Sequence, residues 1–401
     1  MILVGSAADS KRFHNQLIDD IRSLKVGYPQ DPQTQMGPVI EPAQGKLLRG
    51  LTTLGEGEKW VLEPKKLDET GKLWSPGVRS GVKRGSEYHL TEYFGPILGV
   101  MTAETLEEAV SIVNDIDYGL TSGLHSLDSD EMGYWLENIQ AGNLYINRGI
   151  TGAIVQRQPF GGWKKSAIGA GTKAGGPNYL VGMGSWEDAP VAQTGALSAT
   201  SAALLKAAGV SGLEAADLSW LEGALASDAT AWTNEFNTAK DVSGLHAERN
   251  VFRYRALPVT VRFENETSGH GIAELVRVVA AGIAAGSRVT VSSAVEVPAA
   301  IRAVLTESSA TVVVEDAQGF GARAARLAAK TGPDSAARIR LIGGSVMDVA
   351  EATNGKPDVA IYGNNVVSAG RVEMLTFLHE QAVSITAHRF GTPNHLSDAV
   401  I

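Results

Sequence analysis

Residues 251–401 alternate short apolar runs with helical patterns, and this alternation most restricts what the chain can fold into. The apolar runs at 258–263, 288–292, 310–315, 338–342, 358–362 and 382–386 are rich in Val and Ile and are continuous, not alternating. That is the pattern of strands buried on both faces. Helical periodicity fills the gaps at 272–285, 298–307, 321–331, 346–353 and 371–381. Strands that alternate with helices predict a parallel sheet with helices on both faces. Right-handed crossovers make such a sheet doubly wound, that is, Rossmann-like.

The chain is 401 residues long, enough for more than one domain, and its first part reads differently. Residues 1–187 are irregular and punctuated by Gly, Pro and Trp. A strand-like opening precedes an amphipathic helix at 10–24, and a turn-rich stretch follows it. Residues 106–115 read as a helix, and 141–147 as a strand that runs into a loop. Residues 188–250 are rich in Ala, Ser and Leu, with apolar residues at helical spacing, which predicts a helical connector. The expected division is therefore 1–187, 188–250 and 251–401.

Composition removes several function classes. A formal net charge of −9 leaves no basic field for nucleic acid. No apolar run approaches the length of a membrane span. The chain has no cysteine, which rules out disulfides and thiolate metal sites and fits a cytoplasmic setting. Its eight histidines form no ligand spacing. His388 and His395 read as surface or packing residues, and Lys164–Lys165 as a solvated pair.

Two motifs carry chemistry. In EYFGPILGV, residues 92–100, a Phe-Gly-Pro turn follows Glu92. It can hold a carboxylate toward a sugar diol and an aromatic edge toward a flat ring, or serve only as a tight turn before a buried strand. The second motif is AGNLYINRGITGAIVQRQPFGGWKKSAIG, residues 141–169. With MGP at 36–38 and the helix near 107–116, the order resembles the C-terminal half of an aldehyde dehydrogenase catalytic domain. TGAIVQRQPFGG resembles more narrowly the L-glutamate γ-semialdehyde (Δ1-pyrroline-5-carboxylate) dehydrogenases. The tail QAVSITAHRFGTP, residues 381–393, is similar to the C-terminal motif of long bifunctional proline utilisation A enzymes. In those, a proline dehydrogenase, an aldehyde dehydrogenase and a Rossmann-like domain are fused, and the tail helps close the tunnel between active sites.

The resemblance implies roles residue by residue. Glu92 would take the nicotinamide ribose hydroxyls of NAD, and Phe94 the nicotinamide ring. Gly152 and Ala153 would offer backbone N–H groups to the carboxylate of L-glutamate γ-semialdehyde, and Phe160 would pack on its aliphatic stem. The family's reaction runs on a cysteine thiolate and a Glu-activated water. Both residues are expected upstream of residue 1, so no catalytic residue and no metal ligand is assigned within the chain. The implied partners are the upstream domains, including an FAD-bearing proline dehydrogenase, and a homo-oligomer is left open. The isolated chain is expected to be inactive. The rival reading is a non-catalytic scaffold or interaction module derived from such an enzyme. A further alternative is nucleotide binding by residues 251–401, through the G-x-G-x-x-A of 319–324. That motif follows the third strand and lacks an acidic residue on the next one, so small residues for helix–sheet packing are the competing reading.

Overall fold

The computed structural model describes residues 1–169, 171–188, 195–334 and 337–401. The first residues of the expected connector, 189–194, lie outside the described residues. The fold is mixed α/β with parallel sheets, and it divides into two compact units, Met1–Ile116 and Asp117–Ile401.

The first unit is built on a four-stranded sheet in the order Ile2–Val4, Ile97–Ala103, Gly77–Ser80, Lys59–Leu62. The first three run parallel, and Lys59–Leu62 is antiparallel. Helix Lys11–Ser23 forms as the sequence predicts, with Ser10 accepting from the Phe13 N–H at its start. Helix Leu106–Asn114 is capped by Thr105 accepting from the Glu108 N–H. Glu108 reaches back to the Glu104 N–H. Ile18 packs with Leu3, Val78 and Val100 on one face of the sheet. Ala109 and Ile112 pack with Met101 and Ala103 on the other.

The second unit contains two five-stranded sheets. One is fully parallel, in the order Thr311–Val314, Val289–Ser293, Val259–Phe263, Ala337–Ile342, Val359–Tyr362. This is the doubly wound order, which reverses beside the first strand. Helices Ile272–Ala284, Ala299–Glu307, Ala317–Ala328 and Val346–Ala352 make the crossovers. Helices Ala199–Val210 and Ala215–Ala231 form within the Ala-rich segment, and Leu204, Ala208, Leu221 and Leu225 share one core with Val261, Val276 and Ile301. The buried pair Arg277–Asp228, at 2.6 Å, ties this helical layer down.

The sixth expected strand lies elsewhere. Leu378–Thr386 is part of the second sheet, ordered Thr121–Leu124, Asn143–Ile146, Leu378–Thr386, Glu248–Ala256, Lys240–Asp241. It runs parallel to Asn143–Ile146 and antiparallel to Glu248–Ala256. The expected helix at 371–381 is correspondingly short. Gly370–Glu373 and a 3-10 turn at Met374–Phe377 give way to strand at Leu378. Glu380 and Gln381, at the end of that expected helix, lie in the strand instead, and both are buried and bonded. Gln381 accepts from Arg253 Nε at 2.8 Å and donates to the Ala141 carbonyl at 2.9 Å. Among the described residues, no helix is long and apolar enough to cross a membrane.

Candidate functional site

In the first unit, Glu92 and Phe94 flank a buried anchor. Tyr93 is buried and stacks on Tyr88 at 4.9 Å between ring centroids. Beneath Tyr88 lies the buried Arg79, 4.2 Å from the ring centroid and paired with Glu58 at 2.6 Å. Burial pushes the Tyr88 hydroxyl up to about 12. The backbones nearby leave no slack. A Cβ on Gly50 would meet Tyr93 Cδ1 at 2.5 Å, and one on Gly95 would meet Leu47 Cδ1 at 2.3 Å. With Tyr93 turned inward, its neighbours Glu92 and Phe94 face outward and are exposed. Phe94 is 73% exposed with φ +59°, a left-handed conformation that costs a non-glycine residue about 1 kcal/mol. Backbone strain of this kind is found at functional sites and in tight turns alike.

In the second unit, the strand Asn143–Ile146 leads into the loop that carries Gly152, Ala153 and Phe160. Gly152 is left-handed at φ +85°, and no atom lies within 4 Å of where a Cβ would stand. Among the described residues, neither the Gly152 nor the Ala153 N–H has an acceptor. The next N–H, of Ile154, donates to Gln158 Oε1 at 2.9 Å. Phe160 is 38% exposed, and its main chain pairs both ways with Ala174, at 3.0 and 2.8 Å. Among the described residues the N–H groups of 148–151 have no acceptor either, so the loop presents a run of free donors that includes Gly152 and Ala153, with an aromatic face on a fixed base. Such a surface suits a small carboxylate with an aliphatic stem.

The base is polar and buried. Asn143 is buried, donates to the Pro159 carbonyl at 3.1 Å and accepts from the Gly161 N–H at 3.1 Å. Lys173 Nζ donates to Asn143 Oδ1 at 2.9 Å and to the Gly161 carbonyl. Burial lowers Lys173 to about 7, with Glu380 pulling the other way. The unfolded lysine keeps its proton up to about 10.5, so between these values the unfolded chain binds more protons. Stability therefore rises with pH across that window. The expected result is that the thermal midpoint of the chain, relative to Lys173→Met, climbs from pH 7 to pH 10. A difference that stays flat would show that Lys173 titrates normally.

The G-x-G-x-x-A motif lies in the part of the chain that forms the doubly wound sheet. Gly319 and Gly321 lie inside helix Ala317–Ala328, whose first turn is capped by Asp316 accepting from the Gly319 N–H at 2.8 Å. Ala324, also on this helix, is buried with Phe320, Ile339 and Leu341, as the packing reading expects. Phosphates in such folds sit in the loop after the first strand. Here the buried Glu274 carboxylate already accepts from the N–H groups of Thr267, Ser268 and His270, at 2.7, 2.7 and 3.2 Å. Among the described residues, no group of three or more metal-ligating side chains is assembled.

The sequence reading named Glu92, Phe94, Gly152, Ala153 and Phe160 as candidates and did not name the buried polar residues at the base of the loop, Asn143, Gln158, Lys173, Asn250 and Ser384. A signal existed for two of them. Asn143 and Ser384 are polar residues inside otherwise apolar strands, and such residues are buried only with partners.

Residues 1–183 match the model of the aldehyde dehydrogenase family. The 1-pyrroline-5-carboxylate dehydrogenase of Bacillus subtilis (strain 168) is 34% identical over 185 residues, 44% of this chain and 36% of that protein. That of Geobacillus sp. (strain WCH70) is 36% identical over 168 residues, 42% of this chain and 32% of that protein. The solved structure of proline utilization A (PutA) from Corynebacterium freiburgense covers 98% of this chain and 35% of its own, with 39% identity and a TM-score of 0.77. The chain spans about a third of the length of these relatives. Residues 1–183, a little under half of the chain, thus carry its likeness to the aldehyde dehydrogenase family.

Proposed function

We propose that this chain is the C-terminal portion of an NAD-dependent enzyme that oxidises L-glutamate γ-semialdehyde to L-glutamate in proline catabolism. The observation that carries the reading is the pair of unpartnered N–H groups at Gly152 and Ala153, held over a buried polar base. The likeness to proline utilization A along nearly the whole chain supports it. The Gly152 and Ala153 N–H groups bind the substrate carboxylate, and Phe160 lies along its stem. This anchors the far end of the substrate and orients the aldehyde. Glu92 accepts hydrogen bonds from the nicotinamide ribose hydroxyls, and Phe94 lies against the ring. Their exposure on a clamped turn fits that group. When bound, NAD supplies the hydride acceptor. The chain contains no cysteine, so on this reading another portion of the whole enzyme supplies the attacking thiolate.

The same reading takes 1–187 as the dehydrogenase portion, 188–250 as a helical connector and 251–401 as a Rossmann-like domain with a closing tail. It also puts an FAD-dependent proline dehydrogenase elsewhere in the whole enzyme, and the enzyme in the cytoplasm. Within the tail, the hairpin of His388–Arg389 with Thr392–Pro393 is the closing part. Its tip, Phe390, is 94% exposed, which suits contact with another segment or subunit. The test is direct. The full-length enzyme should reduce NAD with the semialdehyde, and the purified 401-residue chain should not. Turnover by the chain alone would sink the proposal.

A further inference from the structure

At the base of the 151–160 loop lies a polar network whose direction is fixed from one end to the other. The Glu248 carboxylate can only accept, so Asn250 turns Nδ2 toward it, at 2.9 Å. That leaves Asn250 Oδ1 facing Gln158 Nε2, at 2.6 Å. Ser384 donates to the same Oδ1 at 2.9 Å and accepts from Gln158 Nε2 at 3.1 Å. Arg148 Nη1 also donates to Ser384 and pairs with Glu248 at 2.9 Å. With acceptors gathered around its nitrogen, the Gln158 amide has one orientation left. Its oxygen faces the Ile154 N–H, directly after the two unpaired N–H groups. Gln158, Asn250 and Ser384 are all buried, so water does not substitute for a lost partner.

Asn250 and Ser384 are direct cross-strand partners, and neither strand belongs to the segment that carries the loop. We infer that Ser384 and Asn250 are positioning residues for substrate-carboxylate binding, acting through Gln158 to hold the Gly152 and Ala153 N–H groups in their outward setting. This rests on the proposed role of those two N–H groups. The C-terminal strand then acts on the substrate from beneath the loop, a role separate from that of the exposed hairpin beyond it.

The test uses Ser384→Ala and Asn250→Ala in the full-length enzyme, with Thr386→Ala on the same strand as the control. Each network variant should raise KM for the semialdehyde about tenfold, the worth of one or two buried hydrogen bonds. kcat and the KM for NAD should stay within about twofold, and the control should match the parent. Amide exchange at Ile154 should quicken in the network variants alone, a readout that needs no substrate. If Ala153→Leu raises the semialdehyde KM while Ser384→Ala and Asn250→Ala leave it and the Ile154 exchange unchanged, the positioning role is wrong and the loop reading stands. If Ile154 exchange quickens but neither Ala153→Leu nor the network variants move KM, the loop does not bind the carboxylate and the inference falls with that reading. Equal losses in kcat, NAD binding and semialdehyde binding would show a general structural role and overturn the inference.

Discussion

Ala153→Leu in the full-length enzyme should raise KM for L-glutamate γ-semialdehyde by about tenfold to a hundredfold. Two neighbouring N–H groups, at the exposed residues 152 and 153, have no acceptor among the described residues. A carboxylate that accepts from both forms charge-assisted bonds, each stronger than an ordinary neutral one. A leucine side chain at 153 shields both donors and occupies the space the carboxylate needs. The loop's own fold should tolerate the change, because Ala153 is exposed. The KM for NAD should hardly move, since the proposed NAD contacts, Glu92 and Phe94, are unchanged. Steady-state kinetics with each substrate varied in turn separates the two constants. An unchanged semialdehyde KM would show that the carboxylate is held elsewhere.

Gly142→Ala should cost the 401-residue chain on the order of 3 kcal/mol of stability. Gly142 precedes the strand that feeds the loop, and its main chain is bonded on both sides. Its N–H donates to the Gly119 carbonyl at 2.9 Å, and its carbonyl accepts from the Ala382 N–H at 3.0 Å. A Cβ there would stand 2.1 Å from the Gly161 carbonyl oxygen and 3.0 Å from Gly162 Cα. The obstacle is backbone, so no rotamer change relieves it. Either the 161–162 turn moves, taking Phe160 with it, or the strand leaves its neighbours. Gly37→Ala is the control, because nothing lies within 4 Å of its added Cβ. Urea unfolding of both variants measures the difference. Equal midpoints would show that the turn shifts at little cost.

The parallel sheet was legible because continuous Val/Ile runs separated by helical periods admit few arrangements. Five of its expected strands formed in the doubly wound order. Leu378–Thr386 was legible as a buried strand from AVSIT, but burial does not say which neighbours a strand takes. Its start was hidden because Glu380 and Gln381 look like solvent-facing residues until Asn178, Arg253 and the Lys173 N–H are seen bonded to them. In the loop, Gly152, Ala153 and Phe160 were legible from the motif. Gln158 stands in the same motif, yet its role depends on Asn250 and Ser384, which lie about 90 and 230 positions further along. Pattern within a window cannot join residues that far apart.

The placement of Leu378–Thr386 between Asn143–Ile146 and Glu248–Ala256 also sets an order of assembly. Synthesis delivers the loop-bearing strand more than 200 residues before the neighbour that closes its sheet. Until Leu378–Thr386 leaves the ribosome, Asn143–Ile146 has an open edge, able to pair with any other extended chain. A nascent or prematurely terminated product therefore exposes an adhesive strand and an unsupported loop together. Synthesis of Leu378–Thr386 brings both the sheet partner and the Ser384 hydroxyl, so the 151–160 loop gains its support only after that strand has been made.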